Sequence, residues 1–328
     1  INTVSHEATI YAEDEMRINE RLSTNIGTSL TATAVNGRTY FMLDPRLALK
    51  WQIANNASLK LSYTHMSQSI HRMSSCFLEL PTDFWVPTTN EIKPTMSHQI
   101  AAGIYTQPTQ RLTLSLEAYY KQSSHLLQYR HWMGFQPSAA TWNRDVADGK
   151  GKSYGIEADA TYTQGSTSMS MAYTLSWSRR LFKEIYPGWF DDQFDNRHKI
   201  NISLSHSFTQ RISMYAAWTF HTGNRLTMPV GYALQPNIPG DNGYSYDYIF
   251  DCPNNFRLPS YHRLDIGANF RHTTRHGKEG IWNVSLYNAY CHLNTMYVKV
   301  RLDDNNKFQI KNYGYIPIIL SVSYTLKF

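Results

Sequence analysis

The sequence predicts an all-β protein folded as a transmembrane antiparallel β-barrel, and three observations carry this prediction. Apolar and polar residues alternate with a period of two along most of the 328 residues. The polar faces hold Gly, Ser, Thr, Asn and Tyr rather than the Lys and Glu that face bulk water. The connections between the alternating segments are short and long in turn, which is the asymmetry of outer-membrane barrels.

The last segment shows the alternation best. From residue 318 the apolar face carries Ile318, Leu320, Val322, Tyr324, Leu326 and Phe328. The opposite face is almost wholly polar, as in a β-strand with one face in an apolar phase. We expect this strand to close the barrel, with Phe328 in the aromatic girdle. Taken alone, the segment fits a strand of a soluble sandwich equally well.

The same pattern recurs in about thirteen segments, each long enough to cross a membrane at a tilt. They lie near 7–18, 22–32, 41–53, 58–70, 97–106, 111–121, 154–163, 169–178, 198–208, 211–221, 263–271, 281–290 and 318–328. Their apolar faces carry almost no charge in the middle, which favours a membrane barrel with a wet lumen over a sandwich.

The connections predict which ends face outward. Short ones lie at 54–58, 107–111, 164–168 and 208–211, and long ones at 71–96, 126–152, 179–196 and 225–259, with a further long loop at 291–315 that holds a hairpin near 303–307. Long loops are external in such barrels, so the last strand runs inward. With an odd strand count the first strand also runs inward, and we expect the N-terminal part of a larger barrel to be missing.

Composition excludes other classes. The net charge of +6 is scattered without a basic run, so no nucleic-acid partner is expected. No run of eighteen apolar residues exists, so no transmembrane helix is predicted. Cys76, Cys252 and Cys291 fall in predicted loops and form at most one disulfide. The thirteen His lack metal-ligand spacing, and no nucleophile–base set or phosphate-binding motif occurs, so we expect neither catalysis nor a metal or cofactor.

Two groups of residues are candidates for a role at the rim. Aromatic side chains of the long loops are suited to stacking on a ligand, although packing of the loops on one another explains them as well. These are Trp85, Trp132, Trp142, Trp189, Tyr244 and Tyr246. A second group is predicted to be structural, where loops re-enter the barrel or the backbone approaches closely. It consists of Gly155, Glu157, Asp195, Arg197, His198, Arg257, Arg263 and Asp265.

Several motifs, in this order, resemble the barrel of TonB-dependent outer-membrane receptors of the kind found in Bacteroidetes. They are YFMLDPRLALKWQIANNASLKLSYTHMSQSIH (40–71), LPTDFWVPTTNEIKP (80–94), SYGIEADATYT (153–163), AYTLSWS (172–178), FDNRHKINISLSHSF (194–208), WTFHTGNRLTMPVGY (218–232), RLPSYHRLDIGANF (257–270), WNVSLYNAYCHLN (282–294) and the terminal Tyr324-x-Leu326-x-Phe328. Each motif alone is weak, but their order covers essentially the whole chain.

The resemblance implies a 22-stranded barrel of which residues 1–328 form one domain, the C-terminal thirteen or so strands, with the N-terminal plug absent from this chain. It implies import of a scarce nutrient across the bacterial outer membrane with TonB-supplied energy. The expected partners are outer-membrane lipid, the barrel-assembly machinery through the C-terminal strand, the TonB complex through the missing N-terminal part, and a small nutrient. A passive porin-like barrel and a soluble carbohydrate-binding β-sandwich are the alternatives.

Overall fold

Long antiparallel strands dominate the computed structural model, which describes residues 4–73, 84–130, 142–234, 246–303, 308–314 and 316–327. The helical structure of these residues consists of one short 3₁₀ turn, Trp142–Arg144. Among them, no helix has the length and apolar character needed to cross a membrane.

Thirteen strands form one continuous antiparallel path in which each strand pairs with the next. They are β1 (Ser5–Arg17), β2 (Leu22–Val35), β3 (Arg38–Ala54), β4 (Ala57–Gln68), β5 (Thr95–Thr109), β6 (Leu112–Tyr129), β7 (Val146–Gln164), β8 (Thr167–Leu181), β9 (His198–Ser207), β10 (Ile212–His221), β11 (Tyr261–Thr273), β12 (Glu279–Tyr287) and β13 (Ile319–Lys327). A two-residue strand, Phe190–Asp191, also pairs with β8. The predicted number and order of long strands are confirmed.

Along each pair of strands, one face of the sheet is apolar and the other is polar, and the register places like faces together. Leu116 on β6 lies opposite Ala158 on β7, while the next residue, Glu117, lies opposite Glu157 on the other face. Large apolar side chains on the outer face are left uncovered by protein: Leu116 is 49% exposed and Leu320 is 64% exposed. In a membrane this face meets hydrocarbon, and the polar face lines the bore.

The connections between strands lie on two different edges. The turns at 18–21, 55–56, 110–111, 165–166, 208–211 and 274–278 are short and lie at one edge. Residues 69–94, 130–145, 182–197, 222–260 and 288–318 form long connections at the other edge. One connection on the long-loop edge differs: Asn36 and Gly37 alone join β2 to β3. Both have positive φ, 48° and 80°, as a two-residue type I′ hairpin turn requires.

The long connections contain their own short antiparallel pairs. Ile70–Met73 pairs with Phe84–Pro87, and Arg225–Leu226 pairs with Phe256–Arg257. Gly231–Leu234 pairs with Tyr246–Ile249, and Thr295–Leu302 pairs with Phe308–Gly314. The last pair is the hairpin predicted near residues 303–307, although residues 304–307 lie outside the described ones.

Two clusters of buried apolar residues also lie at the long-loop edge. One is formed by Met73, Val86, Ile92, Tyr129 and Val146, with Leu127 and Trp142 packed against it. The other is formed by Ala147, Phe182 and Phe190, with partly buried neighbours including Leu126, Ile185, Tyr186 and Cys252. Burial is therefore concentrated under the loops, whereas the apolar strand faces remain open, which is the distribution expected of a barrel in lipid and not of a soluble sandwich.

Candidate ligand-binding rim

Asp195 is the centre of an ion-pair cluster at the point where the connection after β8 returns to the wall. Its side chain is fully buried, at 0% exposure. The Ser178 backbone N–H donates to Oδ1 at 2.8 Å, and Nη2 of Arg197 and of Arg257 donate to Oδ2 at 3.0 and 2.7 Å. Arg257 Nη1 also donates to the Asp195 and Gly223 carbonyls at 2.5 and 3.0 Å. One carboxylate thus joins β8, its own loop and the segment that precedes β11.

The protonation of Asp195 follows from these contacts. Burial by itself raises the pKa of this carboxyl, but the hydrogen bonds from Ser178, Arg197 and Arg257 outweigh burial. The pKa of Asp195 therefore lies below the ordinary value of 3.8, and the carboxylate is ionised at neutral pH.

Further ion pairs extend the cluster along the rim. Asp191 accepts from Arg179 Nε at 3.2 Å and from Arg225 Nη2 at 2.6 Å. Asp192 accepts from Arg180 Nε at 2.5 Å. Together with the pairs of Asp195, five guanidinium groups meet three carboxylates, so the cluster has a net positive charge.

Arg263 and Asp265, which were also predicted to lie where a loop re-enters the barrel, belong to a separate, smaller network. Arg263 pairs with Asp265 at 2.8 Å, donates to the Tyr287 hydroxyl at 2.5 Å and lies 4.1 Å from the centre of the Tyr287 ring. Asp265 Oδ1 accepts the Asn288 backbone N–H at 2.9 Å. Arg257 does not join this network, because its guanidinium is bound to Asp195. The network holds the start of β11 against the end of β12.

His198 begins β9 and points toward β8. Its Nδ1 lies 2.9 Å from the Tyr173 hydroxyl, and the two rings are stacked with their centroids 6.2 Å apart. Its backbone N–H donates to Thr222 Oγ1 at 3.2 Å. His198 thus links the start of β9 to β8 and to the residue that follows β10.

Gly155 and Glu157 lie on the bore side of β7. A Cβ at Gly155 would come 2.6 Å from the Leu175 carbonyl oxygen and 3.1 Å from the Tyr119 ring, so only glycine fits this close approach. Glu157 lies directly opposite Glu117, which accepts a hydrogen bond from Tyr105 at 2.6 Å. Like charges that face each other in this way are unfavourable unless water screens them, which favours a wet bore.

Of the candidate aromatic residues, the structure describes the side chains of Trp85, Trp142 and Trp189, and each has different surroundings. Trp85 is 62% exposed on a short loop strand, opposite Arg72. Trp142 packs against the buried cluster around Met73 and Val146. Trp189 is 39% exposed, and the Lys152 ammonium lies 4.3 Å from its ring centre. Trp132, Tyr244, Phe328 and Cys76 lie outside the described residues, and for Tyr246 only the backbone is described.

A buried histidine lies under the loops beside the first apolar cluster. His71 is 5% exposed, with Nε2 3.3 Å from Thr88 Oγ1 and Nδ1 3.0 Å from Thr95 Oγ1. Burial lowers the pKa of His71 to about 4; the Asp148 charge opposes this shift and that of His125 adds to it. His71 is therefore neutral at physiological pH. Cys252 and Cys291 are free thiols.

The structure adds rim residues that the sequence analysis did not select. Arg225 bridges Asp191 and approaches Asp195 at 3.8 Å, and buried Asn196 donates to the Thr222 carbonyl and Asn224 Oδ1 at 2.8 and 2.7 Å. The dipeptide Asn-Arg occurs at 196–197 and 224–225, next to the paired ends of β9 and β10, but also at 143–144, so the sequence alone does not single out these positions.

A strand path with an apolar outer wall, a polar bore and loops tied down at one rim defines a β-barrel of the outer-membrane class. The chain belongs to the TonB-dependent receptor family: residues 2–290 match the family model described as "TonB dependent receptor-like, beta-barrel". This is a family of transporters and receptors and not of enzymes, and it places the chain in the bacterial outer membrane. No curated protein matches the chain.

Solved structures of such receptors share the fold. The FrpB iron transporter from Neisseria meningitidis (F5-1 variant) is 13% identical, with a TM-score of 0.66 over 99% of this chain and 46% of that one. The ferric yersiniabactin uptake receptor FyuA from Yersinia pestis is 13% identical, with a TM-score of 0.65 and the same coverage. The ferripyoverdine receptor of Pseudomonas aeruginosa is 13% identical, with a TM-score of 0.62 over 98% of this chain and 38% of that one. The chain thus spans less than half the length of these structures.

Proposed function

We propose that residues 1–328 are a single barrel domain, the C-terminal portion of a Bacteroidetes-type receptor that binds a scarce nutrient at the external rim and imports it with TonB-supplied energy. The observation that carries this proposal is the Asp195 cluster, which fixes two long connections on the rim of a barrel of this family. Loops held in one geometry are what selective capture requires, because less ordering entropy is lost on binding.

The charge of the rim supports an anionic nutrient. Five guanidinium groups share three carboxylates, which leaves the rim cluster with a net positive charge. Two of the similar structures are named as receptors for ferric yersiniabactin and ferripyoverdine. We therefore propose an anionic metal chelate as the ligand class, with Trp85 and Trp189 available for stacking at the rim.

The remaining partners follow from the family. We propose that the barrel-assembly machinery recognises the last strand, β13. We also propose that the TonB complex acts through a segment preceding this barrel. A passive porin-like barrel is the rival function. The match of residues 2–290 to the receptor family favours the receptor over the porin.

Uptake in the native bacterium tests the proposal. We expect cells with the intact gene to accumulate a labelled ferric chelate, and cells lacking the gene or TonB function to lose this accumulation. Neutral glycans serve as the comparison nutrient. Uptake that survives loss of TonB would support the porin, and selective uptake of the glycan would contradict the anionic ligand class. Glu184→Gln, which alters an exposed loop carboxylate paired with Arg130 at 2.7 Å, is the matched control for Arg225→Gln at the rim.

A further inference from the structure

An apolar cleft lies at the long-loop edge between two of the short antiparallel pairs. One pair is Gly231–Leu234 with Tyr246–Ile249, called the first ribbon below. The other is Thr295–Leu302 with Phe308–Gly314, called the second ribbon. The cleft between them has a volume of about 390 Å³. Proteins bind small molecules in concave sites of about 300–1,000 Å³, so the cleft is large enough for a small ligand.

The second ribbon turns an apolar face toward the cleft. Val300 pairs with Ile310, and both residues line the cleft together with Phe308. Lys299 and Lys311 form the next cross-strand pair of the same ribbon. Because successive residues of a strand point to opposite faces, these two cations lie on the side away from the cleft.

The opposite wall of the cleft is fixed by hydrogen bonds of its own. It contains Met228, Val230 and Phe256. The Met228 backbone N–H donates to Asn255 Oδ1 at 2.8 Å, and Asn255 Nδ2 donates to the Met228 carbonyl at 2.9 Å. The Val230 N–H donates to the Ile249 carbonyl at 2.8 Å. This wall therefore keeps its shape without an occupant in the cleft.

The two ribbons touch through one aromatic contact and leave apolar side chains uncovered beside it. The Phe308 ring centroid lies 6.1 Å from those of Tyr232 and Tyr248. Val230 and Ile310, on either side of the cleft, remain 55% and 46% exposed. They belong to the long connections beyond the strand ends, so lipid does not cover them. Apolar surface in a concave, water-exposed site is stabilised when an apolar group covers it.

One charged residue, Asp251, belongs to the described lining of the cleft. Its Oδ1 accepts the Cys252 backbone N–H at 2.7 Å and Asn255 Nδ2 at 2.6 Å. Among the described residues, none donates a hydrogen bond to Oδ2 and no Lys or Arg forms an ion pair with this carboxylate. The hydrogen bond from Asn255 lowers the pKa of Asp251 below the ordinary value of 3.8, so the group is ionised at neutral pH. The cleft thus combines an apolar lining with one carboxylate oxygen that is open to an outside donor.

We propose that this cleft binds a hydrophobic cation, an aromatic ring on a short chain that ends in an ammonium group. The ring lies between Val230 and Ile310 and contacts Phe308, since aromatic pairs are favourable beyond the area they bury. The ammonium donates to Oδ2 of Asp251, and such charge-assisted hydrogen bonds are short and strong. An anion of the same shape is disfavoured, because its charge faces the same carboxylate. The site is separate from the Asp195 cluster, and its ligand is opposite in charge to the nutrient proposed above.

Binding of 4-fluorophenethylamine to the protein extracted from outer membranes in mild detergent tests the site. The fluorine NMR signal of this probe reports the bound fraction, and a titration of detergent alone measures its partition into micelles. 4-Fluorophenylacetate has the same ring and the opposite charge, so it is the comparison ligand. We expect saturable binding of the amine that is about 10-fold tighter than that of the carboxylate, which is the range of a hydrogen bond to a charged group.

Two variants separate the charge from the apolar lining. Asp251→Asn should weaken binding of the amine about 10-fold and remove its preference over the carboxylate. Glu184→Gln, which alters an exposed loop carboxylate paired with Arg130, is the matched control and should leave binding unchanged. Val230→Trp places an indole in the cleft and should abolish binding of both ligands.

Ile249→Trp is the matched control for the filled cleft. Ile249 follows Tyr248 in the strand, so it lies on the opposite face of the first ribbon, and its 48% exposure is close to the 55% of Val230. Ile249→Trp should therefore leave binding unchanged, and heat-modifiable migration checks that both variants assemble. If Val230→Trp assembles poorly, Asp251→Asn still decides the outcome.

Three results would overturn the proposal: absence of saturable binding of the amine, equal binding of the amine and the carboxylate, or equal losses in Val230→Trp and Ile249→Trp. Uptake is not measured in this experiment. Its outcome is therefore independent of the imported nutrient and of TonB.

Discussion

Replacing Asp195 with alanine should release the external loops from the wall without disassembling the barrel. The carboxylate is fully buried and accepts hydrogen bonds from Arg197, from Arg257 and from the backbone of Ser178. Its removal leaves two guanidinium groups, each about a quarter exposed, facing each other without their common anion. The ends of β8 and β9 and the segment before β11 lose the group that joins them.

The loss of stability expected from Asp195→Ala depends on how deeply each partner of the ion pairs is buried. Losing one partner of a buried ion pair costs about 3–5 kcal/mol. Both arginines here retain partial access to water, which lowers the figure, so we expect a local destabilisation of about 2–4 kcal/mol. Opening of the loop should then be about 30- to 1,000-fold more frequent, at 1.4 kcal/mol for each factor of ten. Asp195→Asn keeps an oxygen that can accept from the Ser178 N–H, so its cost should be smaller.

Hydrogen exchange of the Ser178 amide is the assay, supported by limited proteolysis of the connection at 182–197. The pH dependence has a definite sign. The folded pKa of Asp195 is depressed, so the stability it contributes is fully present above the ordinary pKa of 3.8 and is lost as the pH falls through the lower folded pKa. Protection of Ser178 should therefore be constant from neutral pH down to about pH 4.

An exposed ion pair in the same loop is the control. Glu184 pairs with Arg130, and both side chains are about half exposed, so Glu184→Gln should change exchange by less than about 1 kcal/mol. If Asp195→Ala exchanged no faster than Glu184→Gln, the cluster would be an incidental surface network and the rim would be held by other contacts.

The other predictions concern the wall, the bore and the loop histidine. Gly155→Ala should lower the temperature of heat-modifiable unfolding, because its Cβ overlaps a carbonyl oxygen at a cost of about 1–3 kcal/mol, whereas Gly231→Ala, whose nearest neighbours lie 3.8 Å away, should not. Leu116→Arg, at the centre of the lipid-facing side of β6, should reduce the assembled fraction in membranes by about 2–4 kcal/mol, and bore-facing Ser115→Arg should assemble normally. Protease resistance of the hairpin that contains His71 should decline as the pH falls from about 6.5 to about 4. In this range His71 is protonated in the unfolded loop but stays neutral in the folded loop, so the folded loop loses about 3 kcal/mol of stability in total. His71→Asn should abolish that pH dependence, and a dependence that persists in this variant would assign it to another group.

The strands could be predicted from the sequence because successive residues of a membrane strand face lipid and water in turn. Leu116 and Glu117 are neighbours in the chain but face lipid and water, so a period of two identifies the strand and its outer face together. The boundaries within the membrane region were predicted closely for the same reason. The predicted boundaries were wrong where strands continue beyond the bilayer. The structure extends β6 to Tyr129 and begins β7 at Val146, while the alternation suggested strands at 111–121 and 154–163. Above the membrane both faces contact protein or water, so the alternation no longer marks the strand.

Contacts between distant segments were decided by the tertiary structure alone. The chain shows that Asp195 and Arg197 are close, since they are two residues apart, but Arg257 reaches the same carboxylate from 62 residues away. The sequence also could not show that Trp142 packs into a buried cluster while Trp85 is largely exposed, because both occur in loops without periodicity.

The sequence by itself determined the all-β class, the number and order of the long strands, the lipid-facing side of each and the edge that carries the long loops, because these follow from local alternation between two solvents. Only the tertiary structure decided which loop residues meet at the rim. Those arrangements depend on the register of paired strands, through which Lys152 and Arg179, 27 positions apart, become neighbours. Register is a property of the assembled sheet and not of any single strand.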